Sequence, residues 1–207
     1  MFLDLLSGAP YKRSLFNAIV TPRPIGWISS KSAEGRINLA PFSHFNLVST
    51  APPVLIFSCN TPADRPAKDT LANVRATSEF VFNLVSESLC VKMNRTSAPL
   101  PPGVDEFEHA DVEKAACINV AVPRVARAPA NFECRLLRIV EIEPVQAGDT
   151  SSHVVFGSII GVHMNDALVD EKGRFDTAGA KPMARLGGLQ YAGLGSVFEL
   201  PSAFTKV

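Results

Sequence analysis

The sequence predicts a mainly β protein, an antiparallel β-barrel with a few short helices. Three observations lead to this prediction: six or more short runs of strand character, turn residues between them, and only two or three segments with helical spacing. A Rossmann fold would require regular alternation of strands and helices and a glycine fingerprint. Gly193 and Gly195 lack the third glycine and follow no predicted strand, so a Rossmann fold is not expected.

Three strands are predicted before the first helix. Residues 25–30 form a short apolar run, and residues 36–40 resume strand character after a turn at Gly35, so the two runs are predicted to form a hairpin. Residues 54–60 form a continuous apolar run of strand length. A polar loop is expected over residues 61–65.

Two short helices are predicted in the middle of the chain. Apolar spacing becomes helical after Thr70, and Asp69 or Thr70 is expected to cap this helix. Residues 79–85 alternate between polar and apolar and return to strand. Ser86 is then expected to cap a short helix that carries Leu89 and Met93.

The second half of the chain contains further strands. Residues 119–125 are expected to form a short strand. Residues 132–143 and 152–163 are predicted as long strands, because apolar and β-branched residues recur over most of their length. Loops predominate after about residue 170.

The composition excludes several classes of protein. Twenty basic residues balance twenty acidic ones, so no basic excess points to nucleic acid, and no apolar stretch approaches the length of about 18 residues that a membrane span needs. The N-terminus carries Asp4 and lacks the pattern of a signal peptide. The four cysteines include no CxxC pair and are expected to be free thiols in a reducing compartment, which favours the cytoplasm.

Polar side chains gather at the predicted strand ends and at the start of the first helix. They are Arg23, Ser29, Ser30, Asn38, Ser43, Ser58, Lys68, Asp69 and Thr70. A helix N-terminus with a lysine and hydroxyl groups suits a phosphate, and strand amides suit the polar edge of a planar heterocycle. The pattern indicates a site for a phosphorylated aromatic ligand, although each residue by itself is more often a turn or cap residue.

Several segments, taken in order, resemble the flavin reductase-like family of FMN-binding split barrels. They are residues 21–30, 38–43, 68–70 with Asn73, 79–85, 105–107, Glu133 with Cys134, Gly157, and 185–188 with Tyr191. The resemblance extends over roughly residues 12 to 200. The combination is specific, whereas no single segment is.

The resemblance implies one domain over residues 1–207, a six-stranded split barrel of Greek-key type that forms a homodimer with FMN at or near the interface. A loop-rich extension over residues 170–207 would pack on the barrel or on the partner subunit. The residues implied to line the isoalloxazine ring and ribityl chain are Ser29, Ser30, Asn38, Ala40 and Ser43. Those implied at the phosphate are Ser58, Asn60, Lys68, Asp69 and Thr70, with Arg23 reaching the phosphate or capping a strand end. Arg185 and Tyr191 would approach from the same chain or from the partner.

The resemblance also implies an oxidoreductase in which NAD(P)H reduces FMN and the electrons pass to free flavin, oxygen or a partner such as a monooxygenase or a redox protein. Two alternatives stay open: a flavoredoxin-type electron-transfer protein without its own nicotinamide site, and a flavin-binding protein without turnover. The sequence does not distinguish NADH from NADPH, and it does not identify the final acceptor. It also does not show whether flavin is a prosthetic group or a substrate.

A few residues have two interpretations. His44 is the one candidate for a proton donor or substrate contact near the flavin, and a hydrogen-bonded structural histidine is the alternative. His109, His153 and His163 lack metal-site spacing, so no metal is expected. Trp27 is expected in the core or an interface. Residues 105–108 are expected to form a solvated acidic turn.

Overall fold

The computed structural model describes residues 2–7, 11–12, 14–61, 67–101, 103–145 and 149–201. Its strands, in chain order, are β1 (Arg23–Pro24), β2 (Gly26–Lys31), β3 (Ile37–Phe42), β4 (Phe45–Thr50), β5 (Pro53–Asn60), β6 (Glu79–Leu84), β7 (Lys114–Ala115), β8 (Arg124–Val125), β9 (Ala130–Ile142), β10 (Ser152–Met164), β11 (Ala184–Arg185) and β12 (Tyr191–Ala192). Its helices are α1 (Ser14–Ile19), α2 (Asp69–Thr77), α3 (Cys90–Arg95), α4 (Glu106–His109) and α5 (Thr177–Ala180), with 3₁₀ turns at Glu87–Leu89 and Asp166–Leu168. The loop predicted over residues 61–65 lies, apart from Thr61, outside the described residues.

Seven strands form one antiparallel sheet in the order β3-β2-β6-β9-β10-β5-β4. This arrangement confirms the prediction of a mainly β, antiparallel fold with a few short helices. A second sheet contains β1, β11 and β12, so two C-terminal strands pair with the segment just before β2. The C-terminal region therefore lies against the start of the hairpin within the same chain.

The hairpin of β2 and β3 is confirmed. Ser30 pairs with Asn38 near its closed end, and the connecting turn contains Gly35 at φ 88°. A residue with a Cβ is disfavoured in that left-handed conformation, which explains the glycine at this position. The other edge of β2 pairs with β6, so the hairpin is anchored on the main sheet.

The two long strands, β9 and β10, each contain 13 residues. Their pairing has register shifts beside Gly157 and again between Ile159 and Gly161. The ring of Phe80 lies directly over the Cα of Gly157, in the place where a side chain would stand. A glycine is required there because the aromatic core approaches the backbone so closely.

The core consists mainly of two clusters of buried side chains, one on each side of the hairpin. The first includes Trp27, Leu39 and Phe107, and the second includes Phe57 and Phe80. Trp27 is fully buried, and its indole N–H donates to Thr96 Oγ1 at 2.9 Å. The expectation that Trp27 belongs to the core is therefore confirmed.

The helix cap predicted at Asp69 or Thr70 is wrong, and the cap predicted at Ser86 is right in position but makes no side-chain cap hydrogen bond. Lys68, with extended backbone, occupies the N-cap position of α2 and makes no side-chain cap hydrogen bond. Thr70 lies one residue inside the helix and directs its hydroxyl to Asn38. Ser86 stands at the N-cap of the first 3₁₀ turn, but its hydroxyl contacts the hydroxyl of Ser88 at 3.0 Å instead of the helix backbone.

The strand predicted over residues 119–125 is reduced to β8. The backbone N–H groups of Ile118 and Asn119 donate to the carboxylate of Glu133, and that of Ala121 donates to Glu79 Oε2 at 2.9 Å. Side-chain carboxylates thus satisfy the donors that a partner strand would otherwise satisfy. The alternating sequence pattern gives no sign of these acceptors.

The solvated turn expected at residues 105–108 is also wrong. These residues enter helix α4, where Glu106 is 8% exposed and Phe107 is fully buried. Glu106 is tolerated in the interior because Oε2 accepts a hydrogen bond from Leu39 N at 2.9 Å. Asp105 caps the helix by accepting from Phe107 N, and it also pairs with Lys114.

All four cysteines are free, as expected. Cys59 and Cys134 are buried, whereas Cys90 and Cys117 are partly exposed. Among the described residues, no helix combines the length and apolar character that crossing a membrane requires.

Candidate functional site

A buried polar cluster joins α2 to the hairpin. The side-chain amide of Asn38 is hydrogen-bonded to the hydroxyl of Thr70 at 2.9 Å. The side-chain amide of Asn73 donates to Ser30 Oγ at 3.1 Å. All four side chains are buried. The structure therefore gives Ser30, Asn38 and Thr70 internal partners, and their hydroxyl and amide groups hold the helix in place.

Ser29 belongs to a different buried network. It points to the opposite face of β2 from Ser30, as consecutive strand residues do. Its hydroxyl donates to the carbonyl oxygen of Pro123 at 2.6 Å and accepts from Asn83 Nδ2 at 3.3 Å. Asn83 in turn accepts from Asn131 Nδ2 at 2.8 Å, so this network links β2, β6 and β9.

A basic cluster lies where β1, the β3–β4 turn and the start of α2 meet. Its members are Arg23, His44 and Lys68. Burial lowers the pKa of His44, and the positive charges of Arg23 and Lys68 lower it further. Ser58 lies beside the cluster, because its backbone N–H donates to the carbonyl oxygen of His44 at 2.8 Å. The cluster therefore gathers positive charge next to the last residues of β5.

Arg23 is a mostly buried member of the basic cluster, at 7% exposure. Its guanidinium donates to the carbonyl oxygens of Asn17, Val20 and Leu186. Its Nε is buried and has no hydrogen-bond partner among the described residues. Burial, together with the nearby charge of Arg185, lowers the pKa of Arg23. Arg23 thus adds positive charge to the cluster from the interior, while its guanidinium holds the backbone around it.

Lys68 is exposed and lies over an aromatic ring. Its Nζ is 5.7 Å from the ring centroid of Phe42, at the end of β3. The first N–H groups of α2 lie next to it, and by position they have no acceptors within the helix.

A second opening, a cavity of about 280 Å³, lies where the C-terminal segment crosses the hairpin. It is lined by Ile25, Pro41, Ser43, Met93, Asn94, Ser97, Arg185, Leu189 and Tyr191. The guanidinium carbon of Arg185 is 4.4 Å from the ring centroid of Tyr191, and the Tyr191 hydroxyl donates to Asn94 Oδ1 at 2.9 Å. Ser43, Arg185 and Tyr191 therefore meet within a single chain.

The remaining predicted site residues are dispersed. Ala40 packs against the second core cluster. Asn60 is exposed, and its Oδ1 accepts from Ser152 Oγ at 3.0 Å. Asp69 and Asn38 line another cavity, of about 320 Å³, together with Arg36. Most of the predicted set thus falls into an internal group, the basic cluster and the Tyr191 cavity, while Asp69 lies at the cavity with Arg36 and Asn60 lies exposed at the end of β5.

Phe42 and Asn94 were not singled out from the sequence. In the sequence, Phe42 is an ordinary apolar residue at a strand end. The fold shows that its ring lies next to the ammonium group of Lys68. Asn94 sits in a short helix that is 97 residues from its partner Tyr191, so nothing local signals their contact. His44 forms a hydrogen bond at 3.1 Å with Asn17, on α1, which agrees with its interpretation as a hydrogen-bonded histidine.

The family model for the flavin reductase like domain matches residues 19–179. The chain belongs to this family. An uncharacterized protein of Aquifex aeolicus is 40% identical over 173 residues, which cover 84% of this chain and 85% of that protein. The resemblance noted in the sequence is thereby confirmed over most of the chain.

Solved structures agree with the assignment to this family. Nitrilotriacetate monooxygenase component B from Bacillus cereus superposes with a TM-score of 0.88 at 31% identity, over 97% of this chain and 99% of that one. A Shewanella frigidimarina structure described as having a split barrel domain superposes with a TM-score of 0.82 at 20% identity, over 98% and 100% of the two chains. The second similarity concerns the fold alone, and it identifies the sheet as that of a split barrel.

Proposed function

We propose that this protein binds FMN and acts as an oxidoreductase that takes a hydride from NAD(P)H and passes electrons to free flavin, oxygen or a partner protein. The proposal rests on one main observation: the chain belongs to the flavin reductase-like family. It is also 31% identical to a monooxygenase component over 97% of the chain. By analogy with that component, a partner oxygenase is one proposed acceptor.

The basic cluster is the proposed phosphate site. Lys68 is exposed, and the buried Arg23 adds positive charge from the interior. The N-terminus of α2 adds N–H donors, and Ser58 and Asn60 add side-chain donors at the end of β5. These groups fit a phosphate monoester, since its two negative charges offset the positive charge that lowers the pKa of His44.

The Tyr191 cavity is the proposed location of part of the flavin ring system. Its volume of about 280 Å³ is near the lower end for ligand pockets, so a whole FMN would extend from it toward the basic cluster. Ser43 is the residue that connects the two, because it lines the cavity and precedes His44 in the chain. Ser29, Ser30, Asn38, Ala40, Asp69 and Thr70 are proposed to support this surface from inside the fold.

The chain's own contribution to the chemistry is positioning. When bound, FMN supplies a ring nitrogen that accepts a hydride. Direct transfer from a stacked nicotinamide needs no catalytic acid, so the residues named above would act by binding and orienting the two ring systems. His44 is proposed to contact the ligand and not to donate a proton, because its lowered pKa favours the neutral form.

A homodimer and a cytoplasmic location are further proposals. Support for the dimer comes from apolar side chains that stand exposed on the sheet, such as Val48, Val140 and Val162, at 48%, 41% and 51% exposure. Light scattering on the purified chain would test the dimer, and a monomeric mass at micromolar concentration would contradict it. Support for the cytoplasm comes from the four free cysteines.

The reductase proposal is tested by anaerobic reduction of the FMN-loaded protein. We expect NADH or NADPH to bleach the flavin absorbance, with dithionite as the positive control. A flavin that dithionite bleaches and that neither nucleotide reduces would contradict the nicotinamide step. That result would favour the electron-transfer alternative.

A further inference from the structure

Three side chains with metal-ligating atoms meet at one end of β9 and β10. They are Cys117, on the loop between β7 and β8, Glu133, on β9, and His163, on β10. Their potential ligand atoms all lie within 4.8 Å of one another. No metal is expected from the sequence because His109, His153 and His163 lack metal-site spacing, but the structure places Cys117 and Glu133 beside His163.

The strand register explains how the cluster forms. Glu133 pairs with Gly161, and Asn131 pairs with His163, so Glu133 and His163 are diagonal neighbours on adjacent strands. A Cβ at Gly161 would lie 2.9 Å from the Asn119 side chain and 3.4 Å from the carboxylate carbon of Glu133. The glycine thus leaves room for the loop that carries Cys117 to approach the strands.

Glu133 supplies a buried negative charge at the centre of the cluster. Its side chain is 1% exposed. Oε1 accepts from Ile118 N at 2.8 Å and contacts His163 Nε2 at 2.5 Å, while Oε2 accepts from Asn119 N at 2.6 Å. Burial by itself would raise the pKa of Glu133, but the two backbone donors and His163 together lower it. The carboxylate is therefore ionised at neutral pH.

Cys117 responds strongly to this environment. Burial, followed by the negative charge of Glu133, raises the pKa of its thiol to about 12. A thiol binds a metal ion as the thiolate, so a divalent cation next to both groups would displace the Cys117 proton.

We propose that Cys117, Glu133 and His163 bind a zinc ion, with water in the fourth position. One sulfur, one nitrogen and one oxygen ligand form a donor set that zinc accepts in tetrahedral geometry. The thiolate and the carboxylate neutralise the two positive charges of the ion, and the imidazole binds in its neutral form. The Cys117 proton is released to solvent when the ion binds.

One of the three proposed ligands, His163, faces a cavity. His163 lines a cavity of about 580 Å³ that also includes Arg124 and Asn131. The positive charge of Arg124 would oppose a metal ion, but its guanidinium is directed to the carbonyl oxygen of Ala116 at 3.3 Å and to Asn131 Oδ1 at 3.4 Å. A bound ion would join the loop to both long strands and should raise the thermal stability of the folded chain.

The test uses the full-length protein with its flavin. Chelator-treated protein is dialysed against limiting Zn²⁺, and the metal is then measured by elemental analysis. We expect one zinc per chain, with the affinity lowered at least about 100-fold in Cys117→Ser and in His163→Gln, because each removes one of three protein ligands. Cys90→Ser and His109→Gln are the matched controls and should bind as the wild type does.

A second measurement, on the wild type alone, tests the proposal even if the variants fold poorly. Zinc X-ray absorption should show one sulfur neighbour at about 2.3 Å. A spectrum with only nitrogen and oxygen neighbours would overturn the proposal. Zinc retention that is equal in the wild type and in Cys117→Ser, or no zinc retained by the wild type, would overturn it as well. In those cases Glu133 and His163 serve only to hold the 117–119 loop.

Discussion

Asn73 on α2 donates a hydrogen bond to Ser30 on β2 at 3.1 Å, and both side chains are buried. This contact, together with that between Asn38 and Thr70, fixes the N-terminal half of α2 against the hairpin. The proposed phosphate site begins at the same end of the helix. Internal hydrogen bonds thus position the site, even where they do not line it.

Removing the Asn73 amide should therefore cost stability. Asn73→Ala leaves Ser30 without its buried partner, and we expect a loss of about 1–3 kcal/mol in the free energy of unfolding. Urea denaturation monitored by circular dichroism measures it. Asn46→Ala is the control, since Asn46 is exposed and accepts a hydrogen bond from the adjacent backbone N–H of Leu47, and it should change stability by less than about 0.5 kcal/mol. Equal effects of the two substitutions would contradict the structural role of Asn73.

Glu106 should make stability depend on pH. Burial raises its pKa above the ordinary value of 4.5, and the nearby Asp69 and Asp105 raise it further, although hydrogen bonds from Leu39 and from its own backbone oppose them. Because the pKa of Glu106 is higher in the folded state than in the unfolded chain, proton binding to Glu106 stabilises the folded state, and this stabilisation is fully present below pH 4.5. It is lost as the pH rises through the folded-state value.

The substitution Glu106→Gln isolates this effect. Glutamine can still accept from Leu39 N and carries no charge at any pH. We expect the wild type to lose stability relative to the variant as the pH rises from 4 to 8 in a series of urea denaturations. A stability difference that stays constant over that range would contradict the assignment.

Gly157 should not tolerate a larger residue. A methyl group at this position would overlap the ring of Phe80, and we expect Gly157→Ala to destabilise the protein by about 1–3 kcal/mol. Gly195→Ala is the matched control, because no atom of the described residues lies within 4 Å of the added Cβ there. The double variant Gly157→Ala with Phe80→Leu should show a favourable coupling between the two sites, measured by a double-mutant cycle. Purely additive effects would contradict the direct contact.

The pKa of His44 can be used to detect the charges of the basic cluster. Burial lowers its pKa most, followed by the charges of Arg23 and Lys68. Lys68→Ala removes one of these charges, so the pKa of His44 should rise toward 6.5 and remain below it. Histidine chemical shifts followed by NMR across a pH titration measure it. An unchanged pKa in Lys68→Ala would show that Lys68 does not face His44.

The sequence predicts those parts of the fold that rest on local patterns. The hairpin and the two long strands follow from alternation and from Gly35, because each pattern lies within one short segment. The segment 118–121 has the same apolar character, yet it forms no strand, since Glu79 and Glu133 accept its N–H groups from distant positions. No local pattern encodes such long-range acceptors.

The candidate site could be predicted only in part, for the same reason. The start of α2 and the polar strand ends are visible in the sequence, and the family resemblance suggested a flavin as the ligand. The sequence does not show which of these serines faces outward, because Ser29, Ser30 and Ser43 all occur in similar strand-end contexts. Ser29 and Ser30 are buried with internal partners, whereas Ser43 lines a cavity with Tyr191.

The most direct test of the central claim, that the basic cluster holds the phosphate of FMN, is a fluorescence titration of the flavin-free protein with FMN and with riboflavin. We predict that FMN binds more tightly than riboflavin, and that Lys68→Ala weakens FMN about 10-fold or more while leaving riboflavin unchanged, since a charge-assisted hydrogen bond is lost. Lys172→Ala, an exposed lysine in a distant turn, should have no effect. Equal affinities of the wild type for FMN and riboflavin would contradict the claim.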